Sequence, residues 1–136
     1  MEAAAFIFYA VTKFLAYCTW CLFALRVVAP AQATLLASLK YGSFRWLLGL
    51  GFGVAAGIAL GSVSPDSVAR LYFSVYAPLR IVEWIIMAVF IQGDSAALRN
   101  PRVWLWVLGG VVVSFASDLA SPEGMAGRFC VGRCLC

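Results

Sequence analysis

The chain has 136 residues, 64% of them apolar and 12% charged, with a formal net charge of +4 and no histidine. Composition excludes an ordinary soluble globule, which needs more polar surface than these residues supply. It also argues against nucleic acid as a partner, because the basic residues sit at the ends of apolar runs and form no cluster interleaved with aromatics.

Hydropathy predicts an all-α integral membrane bundle of four transmembrane helices, each needing about 20 apolar residues to cross roughly 30 Å of hydrocarbon. The first span covers Ala3–Val28. Tyr9, Lys13 and Tyr17 recur along it every four residues, with Cys21 one turn further on. The pair Cys18–Cys21 has the CxxC spacing of redox and metal sites. Inside an apolar helix an i, i+3 pair has poor disulfide geometry, so both read as small apolar residues. The stretch VVAPAQA offers a signal-peptide cleavage pattern as the rival reading. Glu2 at the start, Lys13 within the run and the length of the run favour a retained span.

Ala29–Ser43 connects the first two spans, and its Leu35, Leu36 and Leu39 fall on one face of an interfacial helix. The second span, Phe44–Val63, carries Gly49, Gly53, Gly57 and Gly61 at four-residue intervals, a glycine zipper. Gly51, Ala55 and Ala59 make a second small ridge beside it. Such ridges pack closely against another span, a second copy or a different protein. Gly110, Ser114 and Asp118 repeat the spacing in the fourth span and are the expected partner within the chain.

Asp66 or Ser67 is expected to cap the third helix after a tight turn at Ser62–Ser67. The third span, Val68–Gln92, holds Tyr72, Tyr76, Arg80 and Glu83 on one stripe. A charge at bilayer centre costs roughly 3 kcal/mol on insertion scales, which predicts that Arg80 and Glu83 pair and face the bundle. Pro78 removes a helix hydrogen bond and predicts a kink beside them. If the first and third spans start on the same side, Lys13 lies level with Tyr76 and Tyr17 level with Arg80. Lys13, Tyr17, Tyr72, Tyr76, Arg80 and Glu83, with Tyr9, then line one seam with two cations against one carboxylate. The seam reads equally as an ion, proton or anionic-headgroup site and as a structural pair that sets helix register.

Gly93–Pro101 leads to the fourth span, Val103–Leu119. Residues 1–120 therefore form the transmembrane domain, and 121–136 a flexible tail ending in Cys130, Cys134 and Cys136. Those thiols suit soft-metal binding, acylation or disulfide pairing, or belong to an unremarkable terminus; without a fourth ligand no closed metal site is expected. FRWLLGLG and PRVWLWVLGG hint at an internal repeat of two parallel hairpins. Arg26, Lys40, Arg45, Arg99 and Arg102 outnumber Arg70, Arg128 and Arg133, which places both termini on the non-cytoplasmic side.

The expected partners are the lipid bilayer and either further copies or other membrane subunits. The expected role is an accessory or structural subunit packed through the glycine zipper; the alternative is a small channel or transporter using the polar seam. No cofactor and no catalytic residue is expected, and an enzyme acting on lipid or quinone is the weakest reading, since histidine and paired carboxylates on one face are both missing.

Overall fold

A computed structural model describes residues 2–60 and 72–125, and the described residues are helical with no strand. Helix α1 spans Glu2–Val28. It stops because Pro30 drives the preceding Ala29 out of helical geometry, to φ −142° and ψ 64°. After a 3-10 turn at Pro30–Gln32, Thr34 starts α2 by accepting a hydrogen bond from the Ala37 amide at 3.1 Å. Helix α2 then runs unbroken over Leu35–Leu60.

The long α2 corrects the expected span start at Phe44. The stretch expected to lie in the interface and the one expected to span form one helix, with Leu35, Leu36 and Leu39 exposed on its first turns. Gly61, Arg70 and the expected cap at Asp66 or Ser67 lie outside the described residues, as do Cys130, Cys134 and Cys136.

A π-helical turn at Tyr72–Tyr76 opens into α3, Ala77–Gln92. Pro78 explains the wide turn: its ring cannot sit against the carbonyl four residues back, and a π turn relieves that clash. Gly93 ends α3 in the left-handed region, φ 72°, and its amide donates to the Val89 carbonyl at 2.8 Å. Asp94 caps a 3-10 turn at Ser95–Arg99. Asn100 then caps α4, Pro101–Asp118, with Pro101 in its first turn. One further turn, α5, covers Pro122–Met125, and the buried Ser121 hydroxyl accepts from the Gly124 amide.

The four long helices alternate in direction. Arg45 on α2 meets Tyr17 on α1, and Gly42 meets Cys18. Trp20 on α1 meets Trp106 on α4, while Lys13 meets Asp118. Residue numbers rise on one helix as they fall on its neighbour, so α1 and α3 run parallel. The connections at 29–34 and 93–100 therefore share one end of the bundle.

That end holds the apolar core: Leu25, Ala24, Trp84, Met87, Ile91, Val103, Trp106 and Val107. Trp20 and Trp106 staple α1 to α4 reciprocally, each indole N–H reaching the other's backbone carbonyl, at 3.1 and 3.3 Å. The staple needs Gly109, where a Cβ would come within 2.3 Å of the Trp20 ring. Gly110 likewise makes room for Trp84.

Helices α1 and α2 come close at Gly42, where a Cβ would lie 2.8 Å from the Cys18 Cα. Cys18 is thus a small residue at a helix contact, and both it and Cys21 are free and buried.

Ala3–Val28 and Tyr72–Gln92 are long and apolar enough to cross a membrane, with mean hydropathies of 1.5 and 1.7. Only 28% and 39% of those windows are buried. Most residues of those windows are therefore not buried inside the described bundle.

Candidate functional site: a buried charge cluster

The other half of the bundle, toward the start of α1, encloses five charged side chains. Lys13 comes from α1, Arg45 from α2, Arg80 and Glu83 from α3, and Asp118 from the last residue of α4. None is more than 6% exposed.

Asp118 is the hub of the outer part. Its Oδ1 pairs with Lys13 Nζ at 2.5 Å and accepts from the Tyr9 hydroxyl at 2.9 Å. Its Oδ2 accepts from the Tyr72 hydroxyl at 2.7 Å and pairs with Arg80 Nη2 at 3.4 Å. Lys13 also donates to the Tyr9 oxygen at 2.6 Å. Two cations and two phenols thus converge on one carboxylate, which offsets its desolvation.

Glu83 is the hub of the inner part. Its Oε2 takes Arg45 Nη2 at 2.5 Å and Arg80 Nη1 at 3.3 Å. Arg45 sits in the corner formed by the rings of Tyr17 and Trp84, 4.6 and 4.9 Å from their centroids. Those two rings meet edge to face at 5.7 Å. The Ser114 hydroxyl joins this layer to the core, accepting from Trp84 Nε1 at 3.0 Å and donating to the Gly110 carbonyl. Arg80 bridges the two hubs, touching both carboxylates.

The residues predicted to line the seam all lie inside. Lys13, Tyr72, Arg80 and Glu83 join the network, Tyr17 covers Arg45, and Tyr76 is buried with its ring 5.3 Å from that of Tyr72. Sequence reasoning missed two members. Arg45 was expected to flank a connection and counted as a loop charge. Because α2 begins at Leu35, Arg45 lies more than two turns inside the helix, fully buried, and drops out of the orientation count. Asp118 was expected to serve as a small-residue contact. Its spacing with Ser114 and Gly110 was the available signal, since it puts a carboxylate on the inward face of α4.

The glycine ridge divides. Gly49 and Gly53 are buried. A Cβ on Gly49 would come 2.9 Å from Arg45 Nη1, 3.7 Å from Arg80 Nη1 and 3.9 Å from Glu83 Oε1. Gly49 therefore makes room for the charges. The facing ridge expected on α4 is turned instead toward Trp84 and the cluster, through Gly110, Ser114 and Asp118. Gly57 lies within α2. The hinted repeat fails at its arginine: Arg45 is buried in mid-helix, whereas Arg102 is exposed in the first turn of α4.

Among the described residues three cations face two carboxylates, a formal excess of one positive charge. Several polar atoms here have no hydrogen-bond partner among the described residues: Tyr17 Oη, Arg45 Nε and Nη1, Arg80 Nε and Glu83 Oε1. The gap bounded by Lys13, Tyr17, Trp46, Gly49, Leu50 and Arg80 admits no water-sized sphere. Among the described residues no group of three or more His, Cys, Asp or Glu side chains could hold a metal ion. No protein-family model, no curated protein and no solved structure matches this chain.

Proposed function

We propose that this is a multi-pass membrane protein, a bundle of four transmembrane helices of the transport class. Its charge cluster is the binding site for an anionic species. The observation that supports this reading is the inversion of the bundle. Lys13, Arg45, Arg80, Glu83 and Asp118 are inside, while Ile58, Leu105 and Val112 are 80%, 72% and 66% exposed. In water that arrangement is unfavourable on both counts; in lipid it is favourable on both.

A single Arg80–Glu83 pair would suffice to set helix register. Five charges contributed by four helices exceed that need, because every added buried ion carries its own desolvation cost. The excess of one cation favours an anion. The polar lining stops at Ser114 and Trp84, and the other half is packed with apolar side chains. The gap beside Arg80 admits no water-sized sphere, so transport requires the bundle to rearrange as a carrier does.

The exposed basic residues Arg26, Lys40, Arg99 and Arg102 share the end that carries the two connections, with Asp94 as the acidic exception. By the positive-inside rule that end is cytoplasmic, and both termini are outside. Reconstitution into liposomes with a panel of halide, phosphate and small carboxylate gradients tests the reading. Flux should exceed that of empty vesicles and be lost in Glu83→Gln with folding retained. Equal flux in the variant removes the cluster from the path, and no flux above the blank for any anion removes the transport reading.

A second reading, an accessory subunit or homo-oligomer, is favoured by the outward ridge of α2. Gly51 and Ala55 are exposed, and a Cβ on Gly51 would meet nothing within 4 Å. Purification in mild detergent should then give a stoichiometric assembly that is lost in Gly51→Leu. A monomer under the gentlest conditions rejects it.

A further inference from the structure

Trp46 stands between two spaces. On one side it closes the narrow gap at the cluster, with Lys13, Tyr17, Gly49, Leu50 and Arg80. On the other it lines a groove of about 400 Å³ on the outer face between α1 and α2, with Ala10, Val11, Phe14, Ser43 and Leu47. The groove is apolar apart from the Ser43 side chain, and the Trp46 indole N–H is buried. That N–H has no partner among the described residues.

Behind Trp46, unpartnered donors belong to Tyr17, Arg45 and Arg80, each at most 1% exposed. Buried donors without an acceptor are unfavourable, and guanidinium N–H groups are matched best by a carboxylate or phosphate. The formal charge excess has the same sign. Glu83 Oε1, an acceptor with no partner among the described residues, suits a head group that stays anionic while keeping a proton, as a phosphate monoester monoanion does.

We infer that the bundle takes up a single-chain amphiphile with an oxyanion head group from the bilayer. The chain lies in the α1–α2 groove and the head group reaches Tyr17, Arg45 and Arg80 past Trp46. Trp46 is the residue that lines both spaces, so the head group enters only if its ring is displaced. This inference rests on the membrane reading above and gives the anionic species of that site a lipid character.

The test uses the full chain in phosphatidylcholine nanodiscs containing spin-labelled stearic acid, or its methyl ester as the uncharged control. The motionally restricted fraction of the acid should exceed that of the ester several-fold. Leu47→Trp, on the exposed rim of the groove, should bring the acid down to the ester with the near-UV circular dichroism unchanged. Val11→Phe repeats this from the other wall should Leu47→Trp fail to fold. Equal restriction of acid and ester overturns the head-group contact, and restriction that survives both variants overturns the groove. Displacement of the acid by millimolar inorganic phosphate or acetate as readily as by unlabelled stearic acid makes a free anion the ligand and overturns the amphiphile. Restriction without liposome flux separates failure of transport from failure of this inference.

Discussion

Asp118→Asn is the most informative single change. The substitution keeps shape and removes one charge, breaking the Lys13–Asp118 and Arg80–Asp118 ion pairs while the Arg80–Glu83 pair stays. The formal excess in the cluster rises from one positive charge to two. Removing one partner of a buried ion pair costs about 3–5 kcal/mol, because the other charge stays buried and uncompensated. The hydrogen bonds from Tyr9 and Tyr72 lose their charge assistance, which adds about 1 kcal/mol. Lys13→Met should cost less, since it brings the cluster to formal neutrality and leaves Asp118 with Arg80 and two phenols. The double variant should recover about 0.5–3 kcal/mol relative to the sum of the single changes. Unfolding in mixed micelles by added dodecyl sulfate, followed by near-UV circular dichroism of the core tryptophans, gives each value. A cost for Asp118→Asn within about 1 kcal/mol of zero, or strict additivity in the cycle, would refute the hub role of Asp118.

Gly49→Ala places a methyl group 2.9 Å from a guanidinium set in the corner of two rings, so a cost of about 1–3 kcal/mol is expected. Gly51→Ala meets open space and should change the same unfolding curve little; equal effects would show that the ridge packs as a unit. Gly42→Val drives side-chain atoms into the Cys18 backbone and should destabilise more than Gly49→Ala, with α1 separating from α2. In a background with Cys130, Cys134 and Cys136 changed to serine, Ala31→Cys and Ser95→Cys should label with an impermeant maleimide from the same side of sealed vesicles. Labelling from opposite sides would overturn the alternating bundle. Cys18 and Cys21 should stay unreactive in that background until the bundle is unfolded.

Much of the architecture was legible in the sequence. The α4 limits fall within two residues of the predicted span, because Asn100 and Pro101 start the helix by local chemistry. The stripe Tyr72, Tyr76, Arg80 and Glu83 points inward as its spacing requires, and so does Lys13. The start of α2 was not legible. Hydropathy locates apolar length, and the first turns of α2 carry Ser38, Lys40 and Tyr41, so the expected start at Phe44 falls nine residues late. That one displacement turned Arg45 into a loop charge.

Sequence alone determined that the chain is helical, strongly apolar and furnished with charges on inward stripes, since helical periodicity and composition are properties of each segment by itself. Only tertiary structure decided which charges meet. Lys13 and Asp118 are 105 residues apart, and Arg45 and Glu83 are 38 apart. Tertiary packing also gave the glycines their separate tasks. Gly42 admits a backbone, Gly49 admits a guanidinium, and Gly109 and Gly110 admit indole rings. A missing side chain is the same signal in every helix, and what fills the space depends on which neighbour the fold brings there.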